Sequence, residues 1–599
     1  MSADVVDALA RQAGVETVLL GSYIKAGDAI RINVKLQEAG TGRIVSSERV
    51  EGMGEADIFS MVDDLTRRIR ERLLPLHGGG PVKGLFRPAG TTADAELDRG
   101  LKDVTTASIE AYRYYSEGIY LHERLKEREA IPLLLKAVEI DPSFAMALAK
   151  LAIVHSNLGQ PTESAEYASR ALEHASRLTP RERLYVEGVH YSRRPETTRQ
   201  AIAAYRKAIG LYPDHAAARQ NLAVIALNLE NDDEAIPQLE ELLRLGGTFP
   251  GSFSGLAGAY ARKGSFERGY EVYQDFLRRF PDNAAQWANL GNYLVAWGRY
   301  DEASQAFDKA RALGAREFTL FVGSVTIAMH HERWDEAAAM SRRIAGAPEA
   351  IARVVSGFSG GSVALYHGKA AAAFGIYAEA LRDSRGPFVW ILHNAIGQLK
   401  LDRGDLPGAL ASAELAKQAA ARAPFQWEPL PLLALVRAKM GQPAAAQEVL
   451  ADIRKAADVT EDPWLRRGAD YTEEEIALAG GDARKAVEAL KRAESRLQVR
   501  SSAGPPSQHV PIRYALGRAQ MEAGDGSAAA ESFRKVVTST VERVHYPVEY
   551  VRSFYFLGRL AEESGDTVKA REYYSRFAGY WRDGDMDRDR VKEALAKSR

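Results

Sequence analysis

A period of about 34 residues constrains this chain more than any other feature. Residues 283 to 315 show it best: Asn283, Trp287, Leu290, Gly291, Tyr293 and Leu294, then Gly298, Tyr300 and Ala303, then Phe307 and Ala310. This spacing predicts a helix, a glycine turn and a second helix. The small residue at mid-first-helix recurs on a 34-residue grid at Gly118, Ala152, Ala223, Ala257, Gly291 and Val325, with a weaker repeat around Gly188. Looser anchors follow at Gly361, Gly397, Leu433, Glu474, Gly517 and Gly558. Small residues belong where two helices touch closely, and large rings fill the wedge between neighbouring pairs. Turn glycines precede the second helix at Gly159, Gly264, Gly298, Gly368, Gly404, Gly524 and Gly565, where a left-handed cap is needed. Pro142, Pro213 and Pro281 stop second helices, since proline cannot continue the backbone ladder.

These marks are those of the tetratricopeptide repeat, which the chain resembles over about residues 108 to 582, roughly thirteen repeats. The resemblance implies a mainly α fold, a right-handed solenoid with a concave inner wall. Repeats are regular over 108–345 and degenerate over 346–510. C-terminal repeats and a tail occupy 511–599.

The first 75 residues follow another period. Residues 3 to 13 have the spacing of a short amphipathic helix. From Ala29 to Glu38 apolar and polar residues alternate strictly, the mark of a half-buried strand. Val15 to Lys25 and Arg43 to Val50 are strand-like too. Turn chemistry at Gly27-Asp28 and Gly40-Thr41-Gly42 makes the three an antiparallel meander. Glu55 to Leu74 then carries the apolar stripe of a helix, through Ile58, Val62, Leu65, Ile69 and Leu73. The stretch Gly21-Ser22-Tyr23 to Leu36 with Thr41-Gly42 resembles the second half of a TolB-like or FlgO-like α/β domain, which makes 1–75 a partial domain. Either the chain has an internal start, or something else covers the open sheet edge. Residues 76–107, with Gly78-Gly79-Gly80-Pro81, are a linker. No Gly-Lys-Ser/Thr follows the triple glycine, so it is not read as a phosphate loop.

A second resemblance concerns lineage. Leu101 to Gly118, Ile140-Asp141-Pro142, Arg181 to Tyr185, and the tail Tyr573-Tyr574 with Trp581 and Asp585 look like the repeat region that follows the kinase domain and membrane helix of bacterial serine/threonine protein kinases. Related regions follow adenylate cyclase domains. The resemblance implies a sensory or docking module. Its location would be the outer side of the inner membrane in a longer kinase, and cytoplasmic if the chain is whole. No kinase motif is present in the sequence itself.

Composition narrows the function class. Net charge is −1, from 79 basic and 80 acidic residues, which argues against a nucleic-acid partner. With no cysteine, disulfides, thiolate zinc sites and cysteine nucleophiles are excluded. No apolar run is long enough to span a bilayer, and the first residues lack the pattern of an export signal.

Catalytic motifs are weak. Gly357-Phe358-Ser359-Gly360-Gly361 matches a nucleophile elbow in letters, but lies where a helix pair is expected rather than after a strand. His330-His331 and His122-Glu123 lack metal-binding spacing. The acids Glu473, Glu474 and Glu475 read as a solvated helix start. Trp287, Trp297, Tyr300, Trp334, Phe307 and Tyr273 read as repeat core or wedge.

A non-catalytic scaffold is therefore expected, with no cofactor and no metal, binding a protein or peptide segment on its inner wall. The candidate ligand-binding residues are Gln220, Asn228, Arg262, Asn289, Asn292 and His330, on a small and mildly polar wall otherwise built from Val224, Ser254, Gly258, Ala288, Ala296, Val322 and Thr326.

Overall fold

The computed structural model describes residues 17–38, 41, 43–76, 106–124, 126–349, 351–421, 426–502 and 508–598. The helix expected at 3–13 and nearly all of the linker lie outside them. The chain divides into two compact units. One holds residues 1–227 and 233–252, the other 228–232 and 253–599.

The first unit opens with an antiparallel sheet of β1 (Thr17–Ala26), β2 (Ala29–Glu38) and β3 (Ile44–Met53), in that order. The alternation in β2 places Ile30, Val34 and Leu36 on the buried face. The helix Ile58–Leu76 lays Met61 and Leu65 over them and over Val50. Gly52 permits this approach, since a Cβ there would meet Met61 Sδ at 2.5 Å. Helix pairs follow, beginning with Ile109–His122 against Glu127–Ile140 and Ala145–Asn157 against Pro161–Glu173.

The second unit continues with pairs such as Ala284–Trp297 against Tyr300–Ala312 and Ala352–Tyr366 against Ala370–Asp383. The described residues of the whole chain hold thirteen such pairs, then a closing helix, Arg588–Lys597. The reason for the small residue in each first helix is now visible. Gly291 lies under the ring of Phe307, Gly361 under Tyr377, Gly517 under Phe533 and Gly558 under Tyr574, always 16 positions apart. In the first unit Gly118 lies under Leu134 and Gly188 under Tyr205. All seven predicted turn glycines adopt positive φ, between 65° and 82°. At Gly298 the left-handed residue lets its own N–H reach the Val295 carbonyl at 3.1 Å and Arg299 N–H reach Leu294 at 2.9 Å, closing the first helix.

The core of the second unit was not visible in the repeat pattern. One cluster joins Phe321, Val354, Tyr366, Tyr377 and Leu392 to Val510, Tyr550, Phe577 and Trp581. The Trp581 indole donates to the Leu365 carbonyl at 3.1 Å, and the Tyr366 hydroxyl donates to the Arg543 carbonyl at 2.7 Å. Helices far apart in the sequence thus share one interior.

Candidate functional site

Of the six sequence-derived residues, Gln220 lies in the first unit. It is half-buried and accepts from the Ser252 hydroxyl at 2.5 Å. The other five belong to the second unit. Arg262, which ends the helix Pro250–Arg262, is held by Asp232: Nε donates at 3.0 and 3.1 Å and Nη2 at 2.5 Å to a carboxylate side chain only 4% exposed. The Asn292 amide oxygen is enclosed without a partner among the described residues and abuts Gly323, on the helix Glu317–His330. Asn289, one turn before it, is half-buried, and Asn228 is exposed. Neither side chain has a polar partner among the described residues. His330 packs at 4.3 Å against Tyr300, and burial pushes its imidazole down to about 4, so the ring is neutral.

The inner wall is not bare. Arg543 Nη2 donates to the His330 carbonyl at 2.8 Å, and its Nη1 donates to the Tyr550 hydroxyl. Ser501 comes to 3.6 Å from where a Cβ on Gly258 would stand. Two of the expected inward positions therefore face later parts of the same chain. A repeat pattern reports neighbours in sequence, and these contacts span more than 200 residues.

The second unit also holds a cleft of about 720 Å³ lined by Glu332, Trp334, His367, Phe554, Arg576 and Tyr580, among others. Glu332 occupies a turn at φ 57°, where glycine stands in other repeats. That turn sends its carboxylate inward, to accept from the Tyr580 hydroxyl at 2.5 Å and from Arg576 at 2.7 Å. Trp334 opens the next helix, its indole stacked on Tyr366 at 4.6 Å and edge-on to His367 at 5.6 Å. The opposite wall is the helix Thr567–Trp581, which exposes Ser575 and Gly579 one turn apart. A Cβ at Gly579 would meet nothing within 4 Å. Burial lowers the His367 pKa and raises that of Tyr580, so both present neutral rings. Exposed Arg582, with no ion-pair partner among the described residues, adds a cation at the rim. These groups can stack planar side chains and exchange hydrogen bonds with a backbone. Sequence reasoning assigned Trp334 to wedge packing and passed over the rest. The one available signal was a glutamate where other repeats have a turn glycine.

One reading is corrected. Glu474 and Glu475 are not a solvated helix start. Their helix begins at Pro463, which places both in its fourth turn, 0% and 4% exposed. Both Glu474 carboxylate oxygens lack a partner among the described residues. Burial, then the Glu475 charge, holds its pKa well above the usual carboxylate range, while Arg518 pulls the other way. Ser359 lies midway along the helix Ala352–Tyr366 with no strand before it, so the elbow geometry is not formed. Among the described residues no group of three or more His, Asp or Glu side chains is arranged to hold a metal ion, and no helix is long and apolar enough to cross a membrane.

Comparison with known proteins follows the helix pairs. A tetratricopeptide repeat model matches residues 197–251, 255–317 and 514–584. The chain is 30% identical over 146 residues to a Rhizobium meliloti protein provisionally named adenylate cyclase 3, covering 24% of this chain and 22% of that one. It is 28% identical over 191 residues to human protein O-mannosyl-transferase TMTC3, covering 30% and 20%. The chain thus spans about a fifth of the length of either relative. Solved structures similar in fold include a tetratricopeptide repeat protein from Parabacteroides merdae (13% identity, 47% of this chain and 99% of that chain, TM-score 0.27). Another is the Cut9–Hcn1 hetero-tetramer of the APC/C (13% identity, 82% and 96%, TM-score 0.30). The repeat model matches at three places and helix pairs of the same kind run between them, so the fold is an array of tetratricopeptide-type helix pairs.

Proposed function

We propose that this chain is a non-catalytic scaffold that docks a segment of another protein, and that the cleft between Glu332–His367 and the helix Thr567–Trp581 is where the segment seats. The carrying observation is a cleft of about 720 Å³ lined by the half-buried rings of Trp334 and His367 and by Arg582, an exposed cation, within the size range of specific binding sites. A peptide backbone in extended or helical form meets such a surface through hydrogen bonds, with side chains stacking on Trp334 and His367. Asn228 and Asn289, whose side chains are uncommitted, are proposed as a second contact. The likeness to the rhizobial protein named for a cyclase supports a setting in bacterial signalling.

The test is site-specific photocross-linking in the source cell from Ser575, with and without Gly579→Phe. Nothing stands within 4 Å of a Cβ at that position, so the new side chain has room to leave the helix, and its phenyl ring would take up part of the cleft that Gly579 lines. A partner cross-linked from Ser575 and lost at least tenfold in the Gly579→Phe chain supports the reading. Equal recovery from both chains, or no partner from either, counts against it.

A further inference from the structure

The sheet of the first unit has two outer strands, and they differ in kind. β3 carries Glu48, Arg49 and Glu51, with Arg31 and Arg49 both on Glu51 at 2.7 and 3.5 Å. Charge of this sort protects an edge from pairing. β1 has one charged residue, Lys25, which Glu55 already holds at 3.1 Å. Among the described residues β1 pairs with β2 alone. Its large side chains stand in solvent: Leu19 is 54% exposed, Tyr23 75% and Ile24 57%.

The register says which face each one occupies. Leu19, Gly21 and Tyr23 lie beside Leu36, Val34 and Ile32, on the face that carries the core. The helix Ile58–Leu76 packs on β3 and leaves that face of β1 uncovered. Val18 and Ile24 lie beside Gln37 and Arg31, on the other face.

We infer that β1 is a self-pairing edge, and that its occupant is β1 of a second copy of this chain, antiparallel about a two-fold axis through Gly21. Directly opposed residues in an antiparallel pair share a face, so the axis passes through a residue rather than between two. Centred on Gly21, Leu19 meets Tyr23 of the second copy, Val18 meets its Ile24, and Thr17 meets its Lys25, each pair occurring twice. Every exposed apolar side chain of the strand then has an apolar partner. Moving the axis to Ser22 sets Leu19 against Lys25 and Tyr23 against Gly21. Moving it to Leu20 sets Tyr23 against Thr17 and leaves Ile24 unmatched. Gly21 at the centre has open space on its face, with nothing within 4 Å of a Cβ. The second copy's Tyr23, opposite Leu19, would stand at the rim of a shallow hollow lined by Leu19, Val34, Leu36 and Ile69, with Ser46 and Glu48. Two three-stranded sheets become one of six strands, with the two unprotected edges removed.

The absence of cysteine makes the axis testable. In Gly21→Cys the two new thiols face each other across the axis, at the Cα separation a disulfide accepts. The expected results are a light-scattering mass of twice 65.7 kDa for the unaltered full chain, and rapid oxidative cross-linking of Gly21→Cys. Ser22→Cys, on the other face, and Asn33→Cys, on β2, should cross-link at least tenfold more slowly. The double change Tyr23→Lys with Ile24→Lys should halve the mass while the helical circular dichroism of the repeats is kept. A monomeric full chain overturns the inference, as it would if another segment covered β1. So does a dimer indifferent to the lysine pair, or Ser22→Cys cross-linking as fast as Gly21→Cys.

Discussion

Glu230 accepts both terminal nitrogens of Arg467 at 2.7 Å, across 237 residues of chain. Glu230 stands in a turn at φ 54°, a left-handed conformation that costs a non-glycine residue about 1–2 kcal/mol. Glu332 occupies the equivalent turn at φ 57° and reaches Arg576. At both places the repeat's usual glycine has been exchanged for an ion pair to a later segment, and burial decides what that exchange is worth. The Arg467 side chain is 5% exposed, and Arg576 is 51% exposed. Glu230→Gly relieves strain but leaves a buried guanidinium without its carboxylate, with the Gln508 amide oxygen and the Arg496 carbonyl as its remaining acceptors; a loss of about 3–5 kcal/mol less the strain relieved gives a net destabilisation of about 1–4 kcal/mol. Glu332→Gly relieves the same strain and gives up an exposed pair worth at most about 1 kcal/mol, plus one tyrosine hydrogen bond. It should be near neutral. Paired denaturant titrations of the two variants decide this, and equal losses would show that burial is not the controlling variable.

Two glycines test the packing rule. At Gly291 a Cβ would lie 2.3 Å from Phe307 Cε1, so Gly291→Ala forces the ring aside and should cost about 1–3 kcal/mol. At Gly579, within the helix Thr567–Trp581, nothing is in reach, so Gly579→Ala gains helix propensity and should stabilise by about 0.5–1 kcal/mol. Opposite shifts in melting temperature are the expected readout.

Asp585 caps a helix it is remote from. Its Oδ1 accepts the Ala370 N–H at 2.6 Å and its Oδ2 the Ala371 N–H at 3.1 Å, while Lys369 at the N-cap position supplies no side-chain bond. Asp585→Ala should cost about 1–2 kcal/mol, and Asp585→Asn less, since one acceptor survives. Hydrogen exchange at the Ala370 and Ala371 amides should accelerate roughly tenfold in Asp585→Ala, by the same free energy. Unchanged protection there would refute the cap.

The repeats were legible because Gly291, Phe307 and Gly298 solve local problems with local residues. A close contact, its filler and the turn between them fall within one period. The sheet was legible because β2 alternates strictly from Ile30 to Leu36. The ion pair of Glu230, the cap from Asp585 and the burial of Glu474 were not legible. Each depends on which distant segments meet, and periodicity is silent on that. The cleft escaped for the same reason, since Trp334 and Tyr580 come from opposite ends of the second unit's core.

Burial pushes the Glu549 carboxyl up to about 7, aided by the charges of Asp402 and Glu475 and opposed by Arg552. The folded chain therefore holds a proton that the unfolded chain, with its carboxyl near 4.5, has released. The stability this contributes is fully present below pH 4.5 and is lost as pH rises through 7, by at most about 3 kcal/mol. His545, which burial pushes down to about 3, acts in the opposite sense, weakening the fold as pH falls below 6.5. The difference between Glu549→Gln and the unaltered chain isolates the carboxyl, because the histidine is common to both. The variant should gain about 1–3 kcal/mol relative to the parent between pH 5 and pH 8, with most of the gain between pH 5.5 and 7. Chemical denaturation at half-unit steps of pH measures this gain. A difference that does not change with pH would mean that Glu549 stays ionised in the fold, held by Arg552.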